Sequence, residues 1–175
     1  MNKIIAFGAS SSKNSINKQL AAYTANQFQN VSVEILDLND YEMPIFSIDK
    51  EKENGIPQLA HDFYAKLGSA DLIIISFAEH NGAYSTAFKN IFDWASRING
   101  KTFQEKPMLL LATSPGARGG SSVLEIAKNR FPFQGGIVKG SFSLPSFNDN
   151  FDSEEGITNE ELKSELLEIV NSIEL

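Results

Sequence analysis

Short aliphatic runs without a polar break alternate along this chain with stretches in which apolar residues recur every three or four positions. Ile4-Ile5-Ala6-Phe7 and Leu72-Ile73-Ile74-Ile75 are uninterrupted, as is Met108-Leu109-Leu110-Leu111-Ala112 after Pro107. Runs of this kind predict strands covered on both faces. Val31, Val33 and Ile35 alternate with polar neighbours and suit a strand nearer a sheet edge, and Ile137 to Leu144 contains a fifth strand. Between them, Leu20, Ala21, Ala25 and Phe28 keep helical spacing, and Pro57 suits a helix first turn followed by Leu59, Phe63 and Leu67 on one face. A helix carrying Phe88, Ile91, Phe92, Trp94, Ala95 and Ile98 follows the third strand, and Val123 to Arg130 reads as helical after the fourth. Thr158 and Glu161 have capping-box spacing for a last helix with Leu162, Leu166, Ile169 and Ile173 inward. The stretch from Asp37 to Gly55, which contains Pro44, reads as a polar connection.

Five strands alternating with five helices predict an α/β fold of three layers, a parallel sheet between two sheets of helices. Right-handed crossovers leave few topologies, and five strands fit the flavodoxin-like order 2-1-3-4-5 better than a six-stranded dinucleotide fold. No repeat, low-complexity tract or linker divides residues 1–175, so one domain is expected.

In such sheets ligands bind beyond the carboxyl ends of the strands, at the switch point of the strand order. The loops after strands one, three and four are rich in Gly, Ser and Asn, and this order brings them together. The first, Gly8 to Asn17, carries Ser10, Ser11, Ser12, Ser15 and Asn17 where a helix begins. Free backbone N–H groups and the positive end of a helix dipole suit a phosphate there. The loop lacks both G-x-x-x-x-G-K-[ST] and G-x-G-x-x-G, which speaks against triphosphate hydrolysis and weakens a dinucleotide reading. By itself it leaves open whether Ser15 is simply an N-cap and the other serines fill a turn. The third-strand loop, Ala78-Glu79-His80-Asn81-Gly82, has no nucleophile beside its carboxylate and imidazole, so an acid–base pair is not favoured. Asn81 and Gly82 better suit a backbone that approaches a planar ring. The fourth-strand loop runs Thr113-Ser114-Pro115-Gly116-Ala117-Arg118-Gly119-Gly120, with Ser121 and Ser122 placed to cap the next helix. Arg118 reaches either a ligand or only solvent. His61, in a helix, reads as a surface or cap residue rather than a ligand.

Composition narrows the chemistry. Fifteen Lys plus Arg against 22 Asp plus Glu give a formal charge of −7, the wrong sign for a nucleic-acid or anionic-membrane surface. The chain has no cysteine, which excludes disulfides, thiolate catalysis, thiolate metal sites and iron–sulfur clusters, and two histidines cannot build a His-rich metal site. The apolar runs are too short to span a bilayer, and the N-terminal run ends at Gly8 without a cleavage site, so a cytoplasmic protein is expected.

At the three loops the chain resembles the NADPH-dependent FMN reductase family, the flavodoxin-like quinone, azo and chromate reductases. The family's G-S-x-R-x-x-S-x-N phosphate loop corresponds to residues 9–17, A-S-S-S-K-N-S-I-N. Its P-E-Y-N-G loop and following K-N-x-x-D-W correspond to A-E-H-N-G at 78–82 and K-N-I-F-D-W at 89–94, and its G-x-x-G-G loop to G-A-R-G-G at 116–120. Ser12 stands where the family usually has Arg, Ala78 where it has Pro, and His80 where it has Tyr.

The resemblance implies that Ser10, Ser12, Ser15, Ile16 and Asn17 hold the phosphate of FMN. It implies that Ala78, Glu79, His80, Asn81 and Gly82 line the flavin ring, and that Ser114, Pro115, Gly116, Arg118, Gly119 and Gly120 face another of its edges. The activity so implied passes a hydride from NADPH or NADH through FMN to a flavin, quinone, azo or similar small acceptor, with no catalytic side chain and no metal. Helix starts near residues 84 and 121 would supply donors where reduced flavin gathers charge. The apolar surface of the helix from Ser85 to Ile98 exceeds one narrow stripe, which favours a homodimer or homotetramer. A flavodoxin-type electron carrier and a non-catalytic member that has lost FMN are the rival expectations; the carrier's T-x-T-G-x-T pattern is absent.

Overall fold

The computed structural model describes residues 1–175. In chain order the elements are β1 (Asn2–Ala9), α1 (Ile16–Ala25), β2 (Val31–Leu36), α2 (Ile48–Asn54), α3 (Gln58–Gly68), β3 (Leu72–Phe77), β4 (Glu79–His80), β5 (Ala83–Tyr84), α4 (Thr86–Ile98), β6 (Lys106–Thr113), α5 (Ser121–Arg130), β7 (Gly136–Leu144), α6 (Phe147–Asn150), β8 (Phe151–Asp152), β9 (Gly156–Ile157) and α7 (Glu160–Asn171). The main sheet is parallel throughout, in the order β2-β1-β3-β6-β7. These are the five strands expected from the hydrophobic runs, in the flavodoxin-like order.

The uninterrupted runs serve two cores at once, because successive side chains on a strand point to opposite faces. Ile5, Phe7, Ile73, Ile75, Phe77, Met108, Leu110 and Ala112 face one layer, where α3, α4 and α5 add Phe63, Leu67, Phe88, Ile91, Phe92, Val123 and Leu124. Ile4, Ala6, Leu72, Ile74, Leu109 and Leu111 face the other, covered by Leu20, Ala21 and Ala25 of α1 and Leu166 and Val170 of α7. β2 is an edge strand, and its alternation leaves it mostly half-buried.

Four local expectations are corrected. The inward stripe of α3 is Ala60, Phe63 and Leu67, while Leu59 is exposed, because the helix enters at Pro57 one step out of phase with the expected face. The last helix is capped by Asn159, whose side chain accepts from the backbone N–H groups of Glu161 and Leu162, so no Thr158–Glu161 box forms. The polar connection contains a helical turn at residues 38–41 and the helix α2, with Ser47 Oγ accepting from Lys50 N.

The fourth correction concerns α4. Its apolar surplus is consumed within the chain: Phe88, Ile91, Phe92, Trp94 and Ala95 are all buried. The segment before α2 lies across the helix and covers Trp94. Trp94 Nε1 donates to Pro44 O at 2.7 Å, and its ring meets Phe46 edge-on at 4.9 Å. Asn90 accepts from Phe46 N at 2.8 Å and donates to Met43 O at 3.1 Å. Lys89 and Asp93 pair at 2.7 Å along the exposed face. Asn90 and Trp94 of the K-N-x-x-D-W pattern therefore staple residues 43–46, while its Lys89 and Asp93 pair with each other.

Candidate functional site

The end of β1 and the start of α1 meet at Gly8, where an added Cβ would lie 2.4 Å from Lys18 N. Only glycine permits that approach, and it sets α1 directly on the strand's carboxyl end. Ser15 is the N-cap, its Oγ accepting from Lys18 N at 3.1 Å. The N–H groups of Ile16 and Asn17 have no partner in the chain, as first-turn donors do when nothing else caps them. Ser10 closes a tight turn: its N donates to Gly8 O at 2.8 Å and its Oγ accepts from Ser12 N at 3.1 Å. Ser15 is thus the N-cap, and two first-turn donors stay free beside it.

Asn17 does something the sequence did not disclose. Its side chain is buried, and its Oδ1 accepts from Ser76 Oγ at 2.7 Å and from Thr113 N at 3.0 Å, while Nδ2 donates to Thr113 O at 3.1 Å. Thr113 Oγ1 in turn donates to Leu144 O at 2.7 Å. One amide therefore ties the helix start to the ends of β3 and β6, and through Thr113 to β7. Lys18 turns away to Asp37 at 2.6 Å, and this partner holds the Asp37 carboxyl below its ordinary range. Lys13 is exposed and forms no ion pair.

Beyond β3 the chain makes a two-residue hairpin, β4 against β5, with Glu79 opposite Tyr84. Its turn residues Asn81 and Gly82 have φ of 52° and 77°, the left-handed pair such a turn requires. Ser85 Oγ donates to Ala9 O at 2.7 Å and accepts from Phe88 N at 3.2 Å, so it caps α4 and ties the hairpin to β1. Underneath, Tyr84 stacks on Phe131 and packs edge-on against Phe88. Its hydroxyl is buried without a partner, and burial pushes the phenol up to about 12.

After β6, the glycine pair is demanded by packing. A Cβ on Gly119 would lie 2.5 Å from Ser143 Oγ and one on Gly120 3.0 Å from the Ala112 side chain, and both have positive φ. Gly120 occupies the N-cap of α5 but has no side chain to cap with. The cap arrives from the hairpin: Glu79 Oε2 accepts from Val123 N at 3.0 Å. Ser121 and Ser122, expected to cap, lie inside the first turn, and Ser122 Oγ accepts from exposed Arg118 at 2.7 Å.

These loops enclose a cleft of about 260 Å³. It is lined by Ser10, Ser12, Ser15, Ile16 and Asn17 from the first loop, Ala78, Glu79 and His80 from the second, and Ser114 and Pro115 from the third. Asn14 and Thr113 line it as well; both stand inside the loops but carried no motif signal. Asn81, Gly82, Gly116, Arg118, Gly119 and Gly120, expected at the ring, lie outside the lining: the first two form the hairpin turn, and the glycine pair is packed against Ser143 and Ala112. An anionic group fits one end, where two free N–H groups and several hydroxyls converge at a helix start. The other end lies between the hairpin and Pro115 and is lined by Ala78, Glu79, His80 and Ser114.

The model of one family, described as NADPH-dependent FMN reductase, matches residues 2–149. The chain belongs to that family. Flavin-dependent oxidoreduction with a nicotinamide donor is therefore its chemistry, and FMN its cofactor. An uncharacterised protein of Mycoplasma pneumoniae is 32% identical over 152 residues, covering 84% of this chain and 89% of its own. An NADPH:quinone oxidoreductase of Arabidopsis thaliana is 27% identical over 154 residues, 86% of this chain and 77% of that one. Among solved structures, the flavoenzyme NAD(P)H:(acceptor) oxidoreductase of Paracoccus denitrificans superposes with a TM-score of 0.78 at 21% identity, covering 98% and 94% of the two chains. No helix of this family member is long and apolar enough to cross a membrane.

Proposed function

We propose that the cleft between the three loops is the FMN site, and that the acceptor is a small quinone-like compound. The observation that carries the reading is the convergence of the two free N–H groups of α1 with the hairpin wall on one cleft. Ser10, Ser12, Ser15 and the N–H groups of Ile16 and Asn17 would hold the phosphate. Ala78, Glu79 and His80 with Ser114 and Pro115 would hold the ring. Bound FMN supplies hydride-accepting chemistry between a nicotinamide and an oxidised acceptor, so no side-chain nucleophile is required. The chain's part is placement: Ser85 and Asn17 fix the distances between loops, and the hairpin's left-handed turn sets the pairing that carries Glu79 and His80. The Arabidopsis relative's quinone activity supports a quinone acceptor for this chain.

A homodimer or a multiple of it remains the proposed assembly, on a different surface from α4's core face. Ile45, within the stapled segment, and Ile48, just after it, are 68% and 47% exposed. Monomeric elution at micromolar concentration would remove this part of the proposal. Residues 1–175 act as one FMN domain in the cytoplasm, where reduced nicotinamide is supplied.

Calorimetry with FMN and with riboflavin tests the site. An anion held by two N–H groups at a helix start predicts FMN binding about 100-fold tighter than riboflavin, the equivalent of two charge-assisted hydrogen bonds. The FMN-loaded protein should oxidise NADPH with a quinone in parallel double-reciprocal lines. No heat with FMN overturns the site.

A further inference from the structure

The start of α5 is closed by a residue from a distant element, and that residue also stands in the cleft wall. Gly120 leaves the N-cap position without a side chain, and Ser121 N is taken by Arg118 O at 3.0 Å. The Val123 N–H is taken by Glu79 Oε2 at 3.0 Å, across 44 positions of sequence. Oε1 of the same carboxylate has no partner in the chain, and Glu79 lines the cleft. The hairpin carrying Glu79 is otherwise held by its own two residue pairs, by Ser85 and by the packing of Tyr84.

We infer that Glu79 is a positioning residue with two effects on the flavin: it latches the ring-lining hairpin to α5, and it holds a fixed negative charge at the ring's edge. The inference rests on the FMN site proposed above. The latch follows from geometry, since a helix N-terminus without its own cap binds a carboxylate well. The charge effect follows from electrostatics. Two-electron reduction places negative charge on the flavin, and a nearby carboxylate opposes it more strongly in a cleft than in water. Glu79 thereby lowers the reduction potential of the bound cofactor and favours passing electrons on to the acceptor.

Two substitutions separate the effects. Glu79→Gln keeps an oxygen that accepts from Val123 N but removes the charge; Glu79→Ala removes both. Hydrogen exchange at the Val123 amide of the FMN-free protein reads the latch. It should stay slow in wild type and Glu79→Gln and speed up at least tenfold in Glu79→Ala. The midpoint potential of the FMN-loaded protein, set by titration against a reference dye, reads the charge. In Glu79→Gln the reduced-to-oxidised FMN affinity ratio should rise about tenfold, a positive shift of about 30 mV for a two-electron couple, with oxidised-FMN affinity changed less than fivefold. Wild-type potential in FMN-loaded Glu79→Gln overturns the charge effect, and slow exchange in Glu79→Ala overturns the latch. A wild-type protein that takes up no FMN would remove the site reading and the charge effect with it, while the exchange measurement still decides the latch.

Discussion

Two helices begin at the rim of one cleft and are finished in opposite ways. α1 is capped by its own Ser15, and the N–H groups of Ile16 and Asn17 are left open. α5 begins at a bare glycine, and its Val123 N–H is closed by a carboxylate from the hairpin. The same backbone feature, a helix start with orphan donors, is thus left open at one end of the cleft and closed by a carboxylate at the other. In the proposed site a phosphate would be drawn to the first and repelled from the second, which would orient a ligand that carries a phosphate at one end and a ring at the other.

The open pole stands on Asn17, and removing that support should have the largest effect. Asn17→Ala would leave Thr113 N and Thr113 O without their side-chain partner in a buried site and free Ser76 Oγ. Orphaned buried groups at about 1–3 kcal/mol each predict a loss of about 3 kcal/mol. For a chain of this size that is a drop in Tm of about 9 °C, measured without FMN. A drop below about 3 °C would mean that the loops keep their spacing by other contacts, and the strut role would be lost. A phosphate ligand alone would not stabilise the free protein, so this measurement separates the two roles of Asn17.

Much of this contrast was legible in the sequence, and what was missed has a common cause. The sheet order followed from apolar runs whose period is local, and the three loops followed from the sheet order. Ser15 was readable as a cap because its target, Lys18 N, lies three residues away. Asn17 was readable as a polar residue in a loop, but its partners Ser76 and Thr113 are 59 and 96 positions distant. From local spacing Glu79 reads only as a residue of the ring wall, because the Val123 N–H it closes lies 44 positions on, beyond another strand. Local spacing points to Ser121 and Ser122 for that cap because they adjoin the helix start. The surplus on α4 misled for the same reason: Phe46 and Pro44, which cover Trp94, belong to a segment that reads only as a polar connection.

A smaller effect compares the two caps directly. Ser15→Ala and Glu79→Ala each remove one acceptor from a helix first turn, and each should lower stability by about 1 kcal/mol, or about 3 °C. Their ligand effects should part. Ser15→Ala disturbs only the anion pole, so FMN should weaken about tenfold while riboflavin is unchanged, in keeping with one hydrogen bond to a charged group. Glu79→Ala loosens the ring wall, so both ligands should weaken together. Equal losses of FMN and riboflavin in Ser15→Ala would erase the distinction between the two ends.

The smallest effect lies beneath the closed wall and tests whether that wall is held by packing or by a polar contact. Tyr84 stacks on Phe131, packs against Phe77 and Phe88, and buries a hydroxyl with no partner. Tyr84→Phe keeps the ring and removes the orphan, so stability at pH 7 should hold or rise by up to about 1 kcal/mol. Alkaline pH gives the signed version of the same test. The folded phenol is pushed up to about 12 from 10.0 by burial. Between those values the unfolded chain has lost the proton and the folded chain keeps it. Stability therefore falls as pH rises through that window, and is unaffected by this group below it. Thermal unfolding of wild type and Tyr84→Phe from pH 7 to pH 11 should show the extra alkaline loss only in wild type. A Tyr84→Phe protein that is less stable at pH 7 would mean that the hydroxyl has a polar partner, and that a hydrogen bond, as well as packing, supports the hairpin opposite the open helix start.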